Sequence, residues 1–146
     1  MGVRPVRQEQ EKNVMTSSPE LEDKRILIVD DDEATRSLVR RVLKRMKIGN
    51  LQEAAGGEQA IACLNETSED IDLVICDWNM PGMSGIELFD RVHAMRPELP
   101  FLMLTGRADA TSVIAAKKAG IPAYIVKPIF PDELKTKVSF LLAKDA

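Results

Sequence analysis

The sequence predicts an α/β fold, a doubly wound (βα)5 unit with a parallel five-stranded sheet. From Lys24 onward, short apolar runs alternate with amphipathic segments, which favours a parallel sheet with helices on both faces. The apolar runs are nearly continuous, as expected of strands buried on both sides. A chain of 146 residues is long enough to build one core of this kind.

Each predicted element has its own local signal. Apolar runs that end at a polar residue mark the strands, and stripes with helical spacing mark the helices. In the first half we predict strand 1 at about 25–29, a helix with the stripe Leu38, Val39, Val42, Leu43 and Met46 that ends at Gly49-Asn50, strand 2 at about 51–54, and a helix bearing Ala60, Ile61 and Leu64. In the second half we predict strand 3 ending at Asp77, a helix over 85–95, strand 4 ending at Thr105, a helix over about 110–119 closed by Gly120, strand 5 ending at Val126, and a helix from about 131 to 142.

Residues 1–23 are polar and lack periodicity, so we expect a flexible N-terminal tail followed by a single domain over 24–146. The net charge of −3 gives no basic face for nucleic acid. No apolar run reaches the ~20 residues of a membrane span, and no secretory signal is present. We therefore expect a cytoplasmic protein without membrane insertion. Two cysteines are too few for a disulfide framework and lack metal-ligand spacing.

Polar groups follow four of the predicted strands. Strand 1 ends in Asp30-Asp31-Asp32, and strand 3 in Asp77. Strand 4 ends in Thr105, and strand 5 in Lys127-Pro128. In an open parallel sheet these carboxyl ends line the ligand crevice. Carboxylates, a hydroxyl and an ammonium that converge there indicate a site for a divalent cation and a phosphoryl group.

The acidic residues suggest the chemistry. If strands 1 and 3 are neighbours, Asp30, Asp31 and Asp77 lie close enough to repel strongly, unless one is protonated or a cation lies between them. Mg²⁺ suits two carboxylates with phosphate and water. A carboxylate can also be a nucleophile that forms an aspartyl phosphate. Taken alone, Asp30 and Asp31 could instead be helix caps, whereas Asp32 is the better N-cap.

Four motifs together resemble the response-regulator receiver domain, and among receivers the single-domain chemotaxis type. They are Val29-Asp30-Asp31, Asp77-Trp78-Asn79-Met80-Pro81, Thr105-Gly106 and Tyr124-Ile125-Val126-Lys127-Pro128. The resemblance covers roughly residues 24–144 and implies a flavodoxin-like sheet with strand order 2-1-3-4-5. Each motif is weak alone, but four in order at strand ends are specific.

The resemblance implies a metal set and a phosphoryl acceptor. Asp77 would accept the phosphoryl group from a sensor histidine kinase, a phosphotransfer protein or a small phosphodonor. Asp31 would bind Mg²⁺ directly together with Asp77, and Asp30 mainly through water. The backbone carbonyl of Asn79 would be the third protein ligand.

The resemblance also implies a switch. Thr105 and Lys127 would bind phosphoryl oxygens, and the Lys127-Pro128 peptide bond is expected to be cis. Tyr124 resembles the aromatic residue that turns inward when Thr105 moves, although a plain core role is the alternative. The surface that meets a protein effector would be residues 110–142.

The expected function is a stand-alone response regulator. Only four residues follow Leu142, so we expect output through a partner rather than through an attached domain. A phosphoryl shuttle or sink without its own effector is the alternative. We expect no enzymatic activity beyond self-phosphorylation and self-dephosphorylation at Asp77. Two other interpretations fit the residues less well. A haloacid-dehalogenase-type phosphatase would need a second Asp at the position of Asn79. A receiver-like domain that has lost phosphorylation should lack some of the chemical residues that are present here.

Overall fold

Strands and helices alternate along the chain in the computed structural model, which describes residues 19–67, 71–106 and 110–143. A helical turn, Pro19–Glu22, precedes the first strand. The elements that follow are β1 (Arg25–Val29), α1 (Glu33–Arg45), β2 (Asn50–Ala54), α2 (Gly57–Thr67) and β3 (Leu73–Asp77), then α3 (Gly85–Met95), β4 (Phe101–Thr105), α4 (Ala110–Ala119), β5 (Ala123–Val126) and α5 (Pro131–Ala143). The predicted (βα)5 alternation is confirmed.

The five strands form one parallel sheet in the order β2-β1-β3-β4-β5, as expected. Its register sets the position of the polar residues. Val29 pairs with Cys76, so Asp30 and Asp77 follow side by side at the carboxyl edge. Asp77 pairs with Leu104, the residue before Thr105.

Alternate residues of each inner strand face opposite sides of the sheet. On one side, Ile26 and Ile28 pack in a core with α1 and α5. On the other, Leu27 and Val29 pack in a core with α2 and α3. All four side chains are fully buried, which accounts for the continuous apolar runs. Helices therefore pack on both faces of the sheet, and this packing fixes the position of its carboxyl edge.

Helix α1 begins as predicted and ends earlier than predicted. Asp32 is its N-cap and accepts hydrogen bonds from the Ala34 N–H and the Thr35 hydroxyl. The helix ends at Arg45 rather than at Gly49-Asn50, so the predicted end was wrong. Lys47 takes a φ of 70°, and the Ile48 N–H donates to the Leu43 carbonyl, which closes the helix in a Schellman motif. Ile48 is fully buried, so burial of this residue outweighs the left-handed conformation of Lys47.

The predicted N-terminal tail includes a helical turn at its end. Within Pro19–Glu22, Leu21 packs against the α1 and α5 side of the core, and the Lys24 N–H donates to its carbonyl at 3.1 Å. Residues 1–18, the rest of that tail, lie outside the described residues. Among the helices described, none is long and apolar enough to cross a membrane.

Candidate functional site

Three aspartates meet at the carboxyl edge of the sheet. Carboxylate oxygens of Asp30, Asp31 and Asp77 all lie within 4.8 Å of one another. Asp30 is 1% exposed and Asp77 is 6% exposed, whereas Asp31 is open to solvent. The cluster therefore has a buried floor and an accessible side, which suits a group that arrives from solution.

Lys127 brings a positive charge to the two buried carboxylates. Its Nζ lies 2.9 Å from Asp77 Oδ1 and 3.8 Å from Asp30 Oδ2. The Lys127 N–H donates to the Thr105 carbonyl at 2.7 Å, so the residue leaves β5 still attached to β4. The Lys127-Pro128 peptide bond is cis, as expected. The lysine is thus tied to the sheet at its backbone and to Asp77 at its ammonium.

The charges of the site perturb one another. Burial raises the pKa of Asp30 to about 6, opposed by the hydrogen bond from the Asp32 N–H and assisted by the negative charge of Asp77. Burial lowers the pKa of Lys127, but the hydrogen bond to Asp77 and the charges of Asp77 and Asp30 outweigh it, so the pKa rises above its usual value. Lys127 therefore stays charged, whereas Asp30 keeps its proton up to about pH 6.

Among the described residues, one oxygen of the cluster has no hydrogen-bond partner. Asp30 Oδ1 accepts from the Asp32 N–H at 2.9 Å, whereas no described group donates to the buried Asp30 Oδ2. A buried carboxylate oxygen without a partner is unfavourable, and the ammonium at 3.8 Å is too distant for a hydrogen bond. A hard divalent cation or its water would satisfy this oxygen. The donor set, three carboxylates within reach of one point, fits Mg²⁺.

The remaining predicted residues lie on β4 and β5 or in the loop after β3. Thr105 is 2% exposed at the end of β4 and pairs with Val126. Asn79 is exposed, two residues after Asp77. Tyr124 is half-buried on β5, and its partial exposure leaves room for either a core or a switching role.

Tyr124 also borders a groove between α4, β5 and α5. The groove encloses about 400 Å³ and is lined mainly by apolar groups, with two lysines at its border. Its lining residues include Ala116, Lys117, Ile121, Tyr124, Lys137 and Phe140. Phe140 is 62% exposed. This groove lies within the 110–142 surface that the sequence predicts as the partner face.

Sequence reasoning missed two residues that shape the site. A Cβ on Gly85 would lie 2.5 Å from the Asp77 carbonyl oxygen, so only glycine fits where α3 begins. The Gly85 N–H also donates to the Trp78 carbonyl at 2.8 Å. Arg36 Nη1 donates to the Asp30 carbonyl at 2.6 Å. A glycine at the first helical position was a signal for close approach, whereas nothing local in the sequence pointed to Arg36.

Comparisons with known proteins agree with this geometry. The family model of the response regulator receiver domain matches residues 26–139. The chain is 41% identical over 116 residues to the chemotaxis protein CheY-3 of Vibrio cholerae, covering 78% of this chain and 88% of that protein. It is 38% identical over 120 residues to the chemotaxis protein CheY homolog of Campylobacter jejuni, covering 81% and 92%.

Solved structures show the same architecture. A CheY-like receiver domain protein from Methanospirillum hungatei superimposes with a TM-score of 0.75 at 33% identity, covering 83% of this chain and 94% of that one. The chemotaxis protein CheY4 of Vibrio cholerae gives 0.74 at 29% identity, covering 82% and 98%. The family match spans well over half of the chain, and the strand-end residues of the site lie within it. The chain belongs to the response regulator receiver family and carries a CheY-like receiver domain.

Proposed function

We propose that this protein is a stand-alone two-component response regulator, with its receiver domain over 24–146, that accepts a phosphoryl group on Asp77. The donor is the phosphohistidine of a sensor histidine kinase or phosphotransfer protein, or a small phosphodonor. The observation that carries the proposal is the placement of the Asp77 carboxylate, buried beside Asp30 and paired with Lys127 at 2.9 Å. The proposed nucleophile, the carboxylates that would hold a cation, and an ammonium therefore lie close together.

The residues that would hold Mg²⁺ are Asp30, Asp31, Asp77 and the backbone carbonyl of Asn79. Bound there, the ion would supply positive charge to the carboxylates and to the phosphoryl oxygens. The cluster of three carboxylates supports this assignment, as does Asp30 Oδ2, to which no group in the described part of the chain donates.

The transfer itself exchanges one bond for another. A carboxylate oxygen of Asp77 attacks phosphorus, the phosphorus–nitrogen bond of the phosphohistidine breaks, and its electron pair returns to the imidazole. Asp77 then carries an acyl phosphate, which water later hydrolyses. The Lys127 ammonium and the Thr105 hydroxyl would bind the phosphoryl oxygens, because Thr105 ends β4, the neighbour of β3, and Lys127 follows β5 at the same edge. Both steps take place on Asp77 itself, so they are self-phosphorylation and self-dephosphorylation.

Signal output would pass from Thr105 through Tyr124 to the 110–142 surface. Thr105 and Tyr124 lie on neighbouring strands, β4 and β5, and Tyr124 borders the groove of about 400 Å³. Tyr124 lies two residues before Val126, the pairing partner of Thr105, so the Thr105 and Tyr124 side chains lie on the same face of the sheet. The chemotaxis names of the relatives at 38–41% identity support a chemotaxis-type effector.

Acetyl phosphate tests the acceptor. We expect one added phosphoryl group by intact-protein mass spectrometry in Mg²⁺, none in EDTA, and none for Asp77→Asn. Asp90→Asn, which changes an exposed carboxylate on α3, is the matched control and should react like wild type. Modification that persists in Asp77→Asn would overturn the assignment.

The alternative, a shuttle or sink, makes a different prediction. Beryllofluoride with Mg²⁺ would activate the immobilised protein, and Asp77→Asn would serve as the inactive control. An effector retained only by activated wild type supports the regulator. Retention of kinases or phosphotransfer proteins alone, in both states, would favour the shuttle.

A further inference from the structure

A chain of polar contacts links β2 to the backbone of Asp30. Arg36, on the first turn of α1, donates from Nη1 to the Asp30 carbonyl at 2.6 Å and from Nε to Glu53 Oε1 at 3.0 Å. Arg40, one turn later on α1, donates to Glu53 Oε2. Each carboxylate oxygen of Glu53 on β2 thus accepts a hydrogen bond from one arginine. Of the two arginines, Arg36 is the one that also donates to the Asp30 carbonyl.

These contacts fix the Asp30 peptide on both sides. The Asp30 N–H donates to the Ala54 carbonyl at 3.1 Å, which extends the β1–β2 ladder, and its C=O accepts from Arg36. Asp30 Oδ1 is held by the Asp32 N–H. With three of its four polar atoms held, the carboxylate presents Oδ2 to the cluster. The direction of Asp30 Oδ2 therefore depends on the β1–α1 turn, to which Arg36 is hydrogen-bonded at the Asp30 carbonyl.

We infer that Arg36 is a positioning residue for the cation site: held in place by Glu53, it fixes the β1–α1 turn so that the Asp30 and Asp31 carboxylates are aligned before Mg²⁺ arrives. Arg36 donates to the Asp30 carbonyl and to Glu53, so it acts on the cluster through the Asp30 backbone. This inference rests on the proposed function, because it assumes that the cluster binds Mg²⁺.

The positive charge of Arg36 allows a positioning role to be distinguished from an electrostatic one. A guanidinium beside a cation site repels the cation, so a purely electrostatic role predicts tighter Mg²⁺ binding when the charge is removed. A positioning role predicts weaker binding, since contacts that orient metal ligands typically contribute about 10-fold to 100-fold in affinity. The two roles therefore give opposite signs for the same substitution.

Two substitutions separate geometry from charge. Arg36→Gln removes the charge and the two hydrogen bonds that one guanidinium makes to Glu53 and to the Asp30 carbonyl. Arg36→Lys keeps the charge but cannot make two hydrogen bonds in the planar geometry of a guanidinium. Arg40→Gln is the matched control, because it removes an equal charge and a contact to the same Glu53 without reaching Asp30.

Mg²⁺ affinity is measured by titration of the fluorescence of Trp78, the sole tryptophan. We expect binding to weaken about 10-fold in Arg36→Gln, by a smaller factor in Arg36→Lys, and to stay within 2-fold in Arg40→Gln. In Arg36→Gln, phosphorylation at saturating Mg²⁺ should recover most of the wild-type rate. Amide hydrogen exchange in EDTA adds a metal-free readout, in which the Asp32 N–H should exchange faster in Arg36→Gln and at the wild-type rate in Arg40→Gln.

Glu53 provides a coupling test. Glu53→Gln should weaken Mg²⁺ binding in wild type and have little further effect in Arg36→Gln, because it acts through Arg36. Equal or tighter binding in Arg36→Gln, with unchanged exchange at Asp32, would overturn the inference while leaving the proposed function intact. Absence of Mg²⁺ binding in wild type would instead overturn the proposed function.

Discussion

Lys127 Nζ lies 2.9 Å from Asp77 Oδ1, and this ion pair spans two strands that are not neighbours, since β4 separates β3 from β5. The same ammonium lies 3.8 Å from Asp30 Oδ2. One lysine therefore offsets the repulsion between two buried carboxylates and holds the Asp77 carboxylate in place.

Loss of this ammonium should destabilise the metal-free protein. We expect Lys127→Met to lower the free energy of unfolding in EDTA by about 1 kcal/mol, a small value because the lysine is partly exposed. Because pairing raises the pKa of Lys127, its contribution is complete at pH 7 and is lost only above the ordinary lysine range. Urea unfolding measures the effect.

The same variant should gain more stability from Mg²⁺ than wild type gains, since a competing cation is gone. Lys117→Met, which changes an exposed lysine on α4, should match wild type in both conditions. Equal unfolding curves for Lys127→Met and wild type in EDTA would contradict a supporting role for the lysine.

Asp30 should make the metal-free protein less stable as the pH rises. Its pKa is about 6 in the folded chain against 3.8 for an ordinary aspartate, so the folded state holds a proton that the unfolded state has released. Between about pH 4 and pH 6 the free energy of unfolding therefore falls with pH, by roughly 1 to 3 kcal/mol in total.

Asp30→Asn should lack this loss and be the more stable protein at pH 7 in EDTA. The difference between the two urea curves reports the ionisation of Asp30 within its cluster. Parallel stability profiles for wild type and Asp30→Asn from pH 4.5 to 7.5 would show that burial of this carboxylate carries no penalty. Lowering the pH through 6 should also weaken Mg²⁺ binding, because protons and the cation compete.

Gly85 should be required for the shape of the loop between β3 and α3. In Gly85→Ala the new Cβ would meet the Asp77 carbonyl oxygen at 2.5 Å and Trp78 Cα at 2.8 Å, and both are backbone atoms that yield only if the loop shifts. We expect a loss of about 2–3 kcal/mol in urea unfolding and slower phosphorylation by acetyl phosphate.

Gly49→Ala provides the comparison, because a Cβ there has no atom within 4 Å. It should keep the stability within about 0.5 kcal/mol of wild type and leave phosphorylation unchanged. Similar behaviour of the two alanine variants would mean that the close approach at Gly85 is not what shapes the site.

The sequence predicted what depends on burial and on chain order. The strand ends at Val29, Asp77 and Thr105 follow from apolar runs, because strands of a parallel sheet are buried on both faces. Asp32 was predictable as an N-cap, since a short acidic side chain before a helix reaches its first N–H groups. Four polar strand ends then implied a shared edge.

What the sequence could not predict depends on distances between elements. The bond from Arg36 to the Asp30 carbonyl needs the β1–α1 turn to fold back, and its link to Glu53 needs the β1–β2 register. The end of α1 was missed because Lys47, not Gly49, takes the left-handed conformation, and burial of Ile48 decides that. From sequence patterns alone, a left-handed position at a helix end is assigned to glycine. Here the burial of Ile48 stabilises that conformation at a lysine.

Tyr124 offers a direct test of the switch, because it is the only tyrosine of the chain. Protein labelled with 3-fluorotyrosine therefore gives one ¹⁹F resonance that reports this ring. We expect Mg²⁺ with beryllofluoride to shift the resonance, since activation should move a half-buried ring into a different environment. Mg²⁺ alone should shift it less.

Thr105 variants decide whether the two residues are coupled. Thr105→Ser keeps the hydroxyl and should keep the shift, whereas Thr105→Ala should lose it while Trp78 fluorescence still reports Mg²⁺ binding. A shift that persists in Thr105→Ala would mean that the ring responds without the hydroxyl. An unmoved resonance in activated wild type would assign Tyr124 to the core alone, and the groove beside α4 and α5 would then have to receive its signal by another route.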